Sequence, residues 1–164
     1  MDLSFVLITL IAQSTYNQAA VHAVELEAKY GIEAELVLAI IQVESNFKVG
    51  AVGRSHGEVG LMQLHPKYFP MAKFDVKTNI ETGVKHLASI RNKCQRKYGK
   101  AWLVCYNIGH NRAAKLNAKQ LPYYKKVMAA YGKEKHFKKT AANLRISMRI
   151  ASGKGQNIIV QAAE

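Results

Sequence analysis

Apolar residues spaced three or four positions apart along the first third of the chain predict helices. Residues 17–30 are rich in Ala and Glu, their apolar side chains fall about three positions apart, and Gly31 follows as a helix-ending residue. Residues 33–43 are apolar at most positions, which predicts a central helix that neighbouring elements cover on nearly every side. Glu44 stands at the C-terminal end of this predicted helix.

The middle of the chain predicts a loop and then further helices. Residues 46–60 contain four glycines with polar residues between them, which indicates a structured loop. Thr78 and Glu81 have the spacing of a capping box and predict a helix that begins at Thr78 and ends at Tyr98, before Gly99. Shorter apolar helices are predicted over 101–106 and 121–131. We therefore expect a mainly α domain over 17–132.

The two ends of the chain differ from this helical body. Residues 1–16 hold an apolar run that is too short to span a bilayer and lacks the basic residues that open an export signal. This segment is either an export signal or weak anchor, or a segment that is buried in the fold or docks against another surface. Residues 133–164 form a basic tail, in which 144–150 alternate apolar and polar residues as a half-buried strand does. The tail either docks to a partner, or packs on the body or is disordered.

The charge of the chain adds an expectation about partners. With 24 Lys and Arg against 11 Asp and Glu, the net charge is +13, which predicts an anionic partner. Nucleic acid and the anionic surface of a bacterial envelope both attract such a protein. A basic run within 91–100 could follow phosphates, but no recognition helix, zinc finger or aromatic platform accompanies it. We expect no specific nucleic-acid binding, and contact with an anionic envelope surface remains open.

Cysteines and histidines limit the chemistry further. The six histidines form no zinc-binding spacing, so we expect no metal and no cofactor. Cys94 and Cys105 fall on two consecutive predicted helices joined at Gly99, so that their side chains could face each other. An oxidising envelope would let them form a disulfide, and the alternative is two small buried thiols. The chemistry is left to carboxylates, hydroxyls and amides.

Glu44 is the first candidate for that chemistry. A carboxylate that ends an apolar helix is partly withdrawn from water, which raises its pKa. A carboxylic acid that stays protonated near neutral pH is what the protonation of a glycosidic oxygen requires. The alternative is that Glu44 is simply the exposed first residue after the helix.

Further motifs follow Glu44 in a defined order. They are Glu44-Ser45, Gly60-Leu61-Met62-Gln63, Asn79-Ile80 with Gly83 and His86-Leu87, Tyr106-Asn107 with Gly109, and Tyr123 with Lys125-Lys126-Val127. Together they resemble the signature of the lytic transglycosylases, a lysozyme-like family, over about residues 30–132. Lys97-Tyr98-Gly99 followed by Trp102 resembles most the small transglycosylases of secretion systems and phage particles.

The resemblance implies a single lysozyme-like catalytic domain that acts on peptidoglycan. Glu44 would protonate the oxygen between MurNAc and GlcNAc and then accept the proton of the substrate's own C6 hydroxyl, which closes a 1,6-anhydro ring. Six further residues would orient the acid or contact the sugar: Ser45, Met62, Gln63, Tyr106, Asn107 and Tyr123. Tyr106 is expected to hydrogen-bond near the Glu44 carboxyl and Tyr123 to close the far wall. Core packing is the alternative for Met62, Tyr106 and Tyr123.

Two other functions remain open. A hydrolytic muramidase would need a second carboxylate, for which Glu58 and Asp75 are the candidates. A noncatalytic assembly protein could also keep a lysozyme-like shape. By resemblance, the protein acts in the periplasm or cell envelope, either exported or carried in a phage virion, and a larger virion or secretion assembly is a further expected partner.

Overall fold

The computed structural model describes residues 3–71, 74–113 and 121–151. Six α-helices and one 3-10 helix are found in these ranges: α1 Leu3–Tyr30, α2 Ala34–Ser45, α3 Val76–Tyr98, the 3-10 helix Gly99–Leu103, α4 Val104–Ile108, α5 His110–Ala113 and α6 Pro122–Ala151. The described part contains no strand, only two isolated antiparallel bridges, Val52 with Val59 and Val59 with Leu64. The expected mainly α fold is confirmed.

Helix α2 is the centre of the fold, as its apolar sequence predicts. Val37, Ile40 and Ile41 are fully buried, and the helix packs against α1 on one side and α6 on another. It ends at Ser45, where Asn46 adopts a left-handed conformation and its backbone N–H donates to the carbonyl of Gln42. Glu44 therefore lies in the last turn, at the edge of the core.

Helix α1 begins earlier than the pattern predicts. The helix expected from residue 17 starts at Leu3 and includes most of the apolar N-terminal segment. It ends where expected, because Gly31, with a φ of 66°, donates its N–H to the carbonyl of Glu27. Among the residues that the structure describes, no helix has the length and apolarity needed to cross a membrane.

The start of α3 corrects the predicted capping box. Asp75 is the N-cap, and its carboxylate accepts a hydrogen bond from the backbone N–H of Thr78 at 2.7 Å. Thr78 therefore lies inside the first turn, and Glu81 pairs with Lys85 at 3.1 Å instead of closing a box. An acidic cap one turn earlier accepts the free N–H groups at least as well as a Thr would. The predicted end at Tyr98, before Gly99, is confirmed.

The predicted 101–106 helix is split. Its first half is the 3-10 helix and its second half is α4, and both bury apolar residues such as Trp102 and Val104 in the core. Cys94 of α3 and Cys105 of α4 are joined by a disulfide across this corner, with their Cα atoms 6.6 Å apart.

The course of α6 corrects two further predictions. The helix expected to stop before Gly132 continues through it to Ala151, so the predicted strand over 144–150 is wrong and those residues are helical. A glycine within a helix costs only about 1 kcal/mol, which neighbouring helix-forming residues can offset. Contacts also hold the continuation: Lys135 pairs with Glu33 at 2.8 Å, and Tyr16 donates to Glu134 at 2.8 Å. The rest of the expected docking tail, 152–164, lies outside the described residues.

Candidate active site

Glu44 is the carboxylate around which the site is built. Its side chain is largely buried, and burial raises its pKa from 4.5 to about 7. A hydrogen bond from Tyr123 lowers the pKa and the nearby negative charge of Glu58 raises it, but both effects are smaller than that of burial. Glu44 therefore holds a proton over much of the acidic and neutral range, as a general acid must.

Tyr123 contacts this acid directly. Its hydroxyl donates to Oε1 of Glu44 at 2.8 Å, from the first turn of α6. Burial and the charge of Glu44 raise the pKa of the phenol well above its usual value, so the phenol keeps its proton as a donor. The residue expected to close the far wall is thus a hydrogen-bond partner of the acid.

The segment Gly60–Gln63 is held beside the site by Asn79 of α3. The fully buried Asn79 side chain accepts from the N–H of Met62 at 2.8 Å and donates to the carbonyl of Val59 at 3.0 Å. A Cβ at Gly60 would lie 2.3 Å from the Asn79 amide nitrogen, and the φ of 76° also favours glycine. The segment therefore requires a glycine at position 60 and an asparagine at position 79. The sequence did not reveal that Asn79 positions this segment, although a polar residue among the buried positions of α3 could have indicated it.

Met62 and Tyr106 meet on the inner side of this segment. The Met62 side chain is fully buried and packs so tightly against Gly83 that a Cβ there would lie 2.3 Å from its sulfur. The Tyr106 hydroxyl donates to the Met62 carbonyl at 2.7 Å and not to the Glu44 carboxyl. Burial, and then the charge of Glu44, raise the pKa of Tyr106 well above its usual value, so the phenol stays protonated as a donor.

Gln63 forms the outer side of the segment. Its φ of 46° lies in the left-handed region, which is uncommon for a residue with a side chain. Its amide donates to the carbonyls of Gly60 at 2.8 Å and Ala51 at 3.3 Å. A Cβ at Gly53 would lie 2.1 Å from a Glu58 carboxylate oxygen and 3.0 Å from the Gln63 amide oxygen, so both side chains lie next to Gly53 and leave no room there for a larger residue.

Ser45 and Asn107, the other two expected sugar-binding residues, differ in exposure. The buried Ser45 hydroxyl donates to the Ile41 carbonyl at 3.1 Å, within its own helix. Asn107 is exposed in α4, next to Tyr106. Of the six residues expected to surround the acid, Tyr123 alone has a hydrogen bond to Glu44 within the described part of the chain.

The two candidate second carboxylates have different surroundings. The Glu58 carboxylate accepts from the backbone N–H of His56 at 3.2 Å, and its pKa is lowered first by its own backbone N–H and then by the backbone N–H and the ring of His56. It lies close enough to Glu44 for its charge to act there. Hydrogen bonds from Thr78 lower the pKa of Asp75, whose carboxylate caps α3.

Residues 21–129 match the transglycosylase SLT domain family. The chain is similar to a membrane-bound lytic murein transglycosylase C of Serratia proteamaculans (strain 568), with 35% identity over 104 residues that cover 49% of this chain and 28% of the relative. Relatives of the same name from Yersinia pestis (strain Pestoides F) and Yersinia pseudotuberculosis serotype O:1b (strain IP 31758) are 34% identical over 105 residues, with 50% and 28% covered. The chain thus spans less than a third of the length of these relatives.

Proposed function

The chain belongs to the transglycosylase SLT domain family, and from this we propose that it is a lytic transglycosylase acting on peptidoglycan. The observation that carries the proposal is the largely buried Glu44, with a pKa of about 7 and a tyrosine hydroxyl on its carboxylate. The bond cleaved is the β-1,4 link between MurNAc and GlcNAc, which opens the wall locally.

Glu44 serves as both acid and base in the proposed mechanism. The protonated carboxyl transfers its proton to the glycosidic oxygen, and the resulting carboxylate then accepts the proton of the C6 hydroxyl as that oxygen attacks C1. The nucleophile belongs to the same sugar, so its translational entropy is already lost and no second protein carboxylate is needed. The Tyr123 hydrogen bond stabilises the charged form of Glu44 between the two proton transfers.

A hydrolytic muramidase is the second candidate, and Glu58 favours it. The surroundings of Glu44 raise its pKa and those of Glu58 lower its pKa, an arrangement that separates an acid from a base. In that reaction Glu58 would activate water, and the product would carry a reducing end instead of an anhydro end.

The products released from purified sacculi distinguish these functions. Mass spectrometry of the muropeptides is expected to find 1,6-anhydro ends, which lack one water relative to reducing ends. Glu58→Gln is expected to leave that product unchanged, whereas Glu44→Gln releases nothing. Reducing ends that disappear in Glu58→Gln would establish hydrolysis. No release by a folded wild-type protein would instead make the chain a noncatalytic assembly protein.

We also propose where the protein acts. Its substrate lies in the bacterial periplasm or cell envelope, which the protein reaches by export or within a phage virion. The net charge of +13 favours peripheral contact with the anionic envelope surface. A virion or secretion assembly remains a proposed partner. Of the tail 133–164, the part beyond Lys139 is the proposed docking segment, because Lys135 and Lys138 pair with Glu33 and Glu35 of the body. Binding to isolated envelopes that weakens as salt rises would support the charge-driven contact.

A further inference from the structure

Three side-chain rings form a row on the surface of the loop between α2 and α3. We call His56, His65 and Tyr68 the ring ladder. The ring centroids of His56 and His65 are 5.5 Å apart with planes 28° from parallel, and those of His65 and Tyr68 are 5.0 Å apart with planes at 58°. The outer two rings face solvent, since the Tyr68 residue is 68% exposed and the His56 side chain 65% exposed. The ladder is thus a ring surface open to a ligand.

Hydrogen bonds hold two of the three rings and fix the turn that carries the third. The Nδ1 atom of His65 accepts from the N–H of Lys67 at 3.2 Å, and the His65 carbonyl accepts from the N–H groups of Tyr68 and Phe69, each at 3.0 Å. His56 is held from the other side, with its Nδ1 3.2 Å from a Glu58 carboxylate oxygen. A surface that is ordered before binding loses less conformational entropy when a ligand arrives.

The ladder is continuous with the candidate active site. The His56 ring contacts the Glu58 carboxylate, that carboxylate and the Gln63 amide both lie next to Gly53, and the charge of Glu58 acts on Glu44. Glu58 therefore links the two regions, because its charge acts on Glu44 and its carboxylate contacts His56, from which the row of rings continues to Tyr68. A long polymer bound at Glu44 could continue along this path.

We propose that the ring ladder binds sugar units of the glycan strand beyond those held at Glu44, by stacking the sugar faces on its rings. This rests on the proposed function. A pyranose ring presents a face of C–H groups that packs on the electron-rich face of an aromatic ring, while its hydroxyl and acetamido groups stay in water. The ammonium of Lys67 lies 5.8 Å from the Tyr68 ring centroid, which adds a cation for the carboxylates of peptidoglycan stem peptides.

Binding is best tested in the Glu44→Gln background, where bound strands are not cleaved. The probes are uncross-linked peptidoglycan strands of several disaccharides, the GlcNAc hexamer and the GlcNAc trimer, with dissociation constants from calorimetric titration. Tyr68→Ala is expected to weaken binding of strands and hexamer about three- to tenfold, the range of an aromatic stacking contact. Binding of the trimer is expected to be unchanged if, as the proposal requires, so short a chain binds near residue 44 without reaching the ladder. Tyr68→Phe is expected to bind like the parent because it keeps the ring.

Phe137→Ala is the matched control, because Phe137 is another exposed ring, on α6. Strand binding that is unchanged in Tyr68→Ala, or that falls equally in Phe137→Ala, overturns the proposal. If Tyr68→Phe loses as much strand affinity as Tyr68→Ala, the effect belongs to the hydroxyl and stacking is overturned. If trimer binding weakens as much as strand binding in Tyr68→Ala, the ladder is not a site remote from Glu44. Absence of strand binding by the parent with an intact ladder overturns it as well. Failure of the proposed function is read separately, as the absence of cleavage products from the wild-type protein.

In the active enzyme, the ladder is expected to affect KM and not kcat. Tyr68→Ala is expected to raise KM for long strands by the same three- to tenfold and to leave kcat unchanged, because the ring binds sugar remote from the reacting bond. A fall in kcat with unchanged KM would contradict a binding platform.

Discussion

The hydroxyl of Tyr123 lies 2.8 Å from a carboxylate oxygen of Glu44, although 79 residues separate the two in the chain. The contact joins the first turn of α6 to the last turn of α2. At the other end of α2, Glu33 pairs with Lys135 of α6, so the two helices run antiparallel and are tied at both ends. The environment of the acid therefore depends on where α6 packs, which leads to the following predictions.

Glu44→Gln is expected to abolish sacculus cleavage with the fold retained. The amide keeps the shape of the side chain but cannot donate the proton, and general acid–base catalysis is worth about 10²–10⁴-fold in rate. Release of soluble muropeptides measures the loss, and circular dichroism of the purified variant is the folding control. A folded variant that keeps more than about a tenth of the wild-type rate would exclude Glu44 as the catalyst.

Activity is expected to fall as pH rises through about 7, the pKa of Glu44. The reactive form is the protonated one, so kcat/KM should decrease about tenfold per pH unit above the pKa. A pH–rate profile on solubilised strands, with enzyme stability checked at each pH, measures this limb. An activity that is constant from pH 6 to about 9 would contradict the assignment.

The same pKa predicts a pH-dependent difference in stability between the wild type and Glu44→Gln. The folded state binds the Glu44 proton more tightly than the unfolded state, so the stability due to this group is complete below the ordinary pKa of 4.5 and is lost as pH rises to about 7. Relative to the Gln variant, the wild type should lose up to about 3 kcal/mol of unfolding free energy across this window. Urea denaturation of both proteins at several pH values measures the difference, and parallel curves would refute it.

Tyr123→Phe is expected to raise the pKa of Glu44 and to slow the reaction. In the wild type this hydrogen bond favours the charged carboxylate, so removing it should move the alkaline limb of the pH–rate profile to higher pH. The value of kcat should fall about 10- to 100-fold, as expected for the loss of a hydrogen bond to a charged group. Tyr131→Phe is the matched control, because that hydroxyl lies on the same helix and donates to Glu33. A limb that stays in place, or that moves equally in the control, would show that the hydroxyl of Tyr123 does not act on Glu44.

The disulfide predicts that unfolded, nonreduced protein has no free thiols. Quantitative thiol labelling should count none without reductant and two per chain after reduction, since Cys94 and Cys105 are the two cysteines of the sequence. Replacing both with Ala should lower the unfolding free energy by about 2–3 kcal/mol, as expected for a short closed loop. Two free thiols without reductant would leave the alternative of buried, unpaired cysteines.

Two truncations separate the structural and docking roles of the C-terminal segment. Ending the chain at Gly132 removes Glu134, Lys135 and Lys138, which contact Tyr16, Glu33 and Glu35, so the melting temperature should fall by several degrees. A chain ending at Lys139 keeps those contacts and should keep its stability and its activity on soluble strands, but lose binding to envelopes or the parent assembly. If the chain ending at Lys139 still binds envelopes or the parent assembly, residues 140–164 do not dock.

Sequence patterns predicted the helical body well and its ends poorly. The buried run of α2, its C-terminal Glu44 and the glycine that ends α3 are set by neighbouring residues, so a local pattern suffices to find them. The start of α3 and the continuation of α6 were mispredicted, because Thr78 is one candidate cap among several and Gly132 weakens a helix without ending it.

The sequence by itself singled out Glu44 as the proposed acid and the segments that carry the accompanying motifs, because the apolar helix pattern and the order of the motifs are both properties of the linear chain. Only the tertiary structure decided what each surrounding side chain does. From the sequence Tyr106 was expected to hydrogen-bond near Glu44 and Tyr123 to close the far wall, yet Tyr106 donates to the Met62 carbonyl and Tyr123 donates to Glu44. That choice depends on how α4 and α6 pack against α2, a matter of long-range contacts that no local pattern encodes.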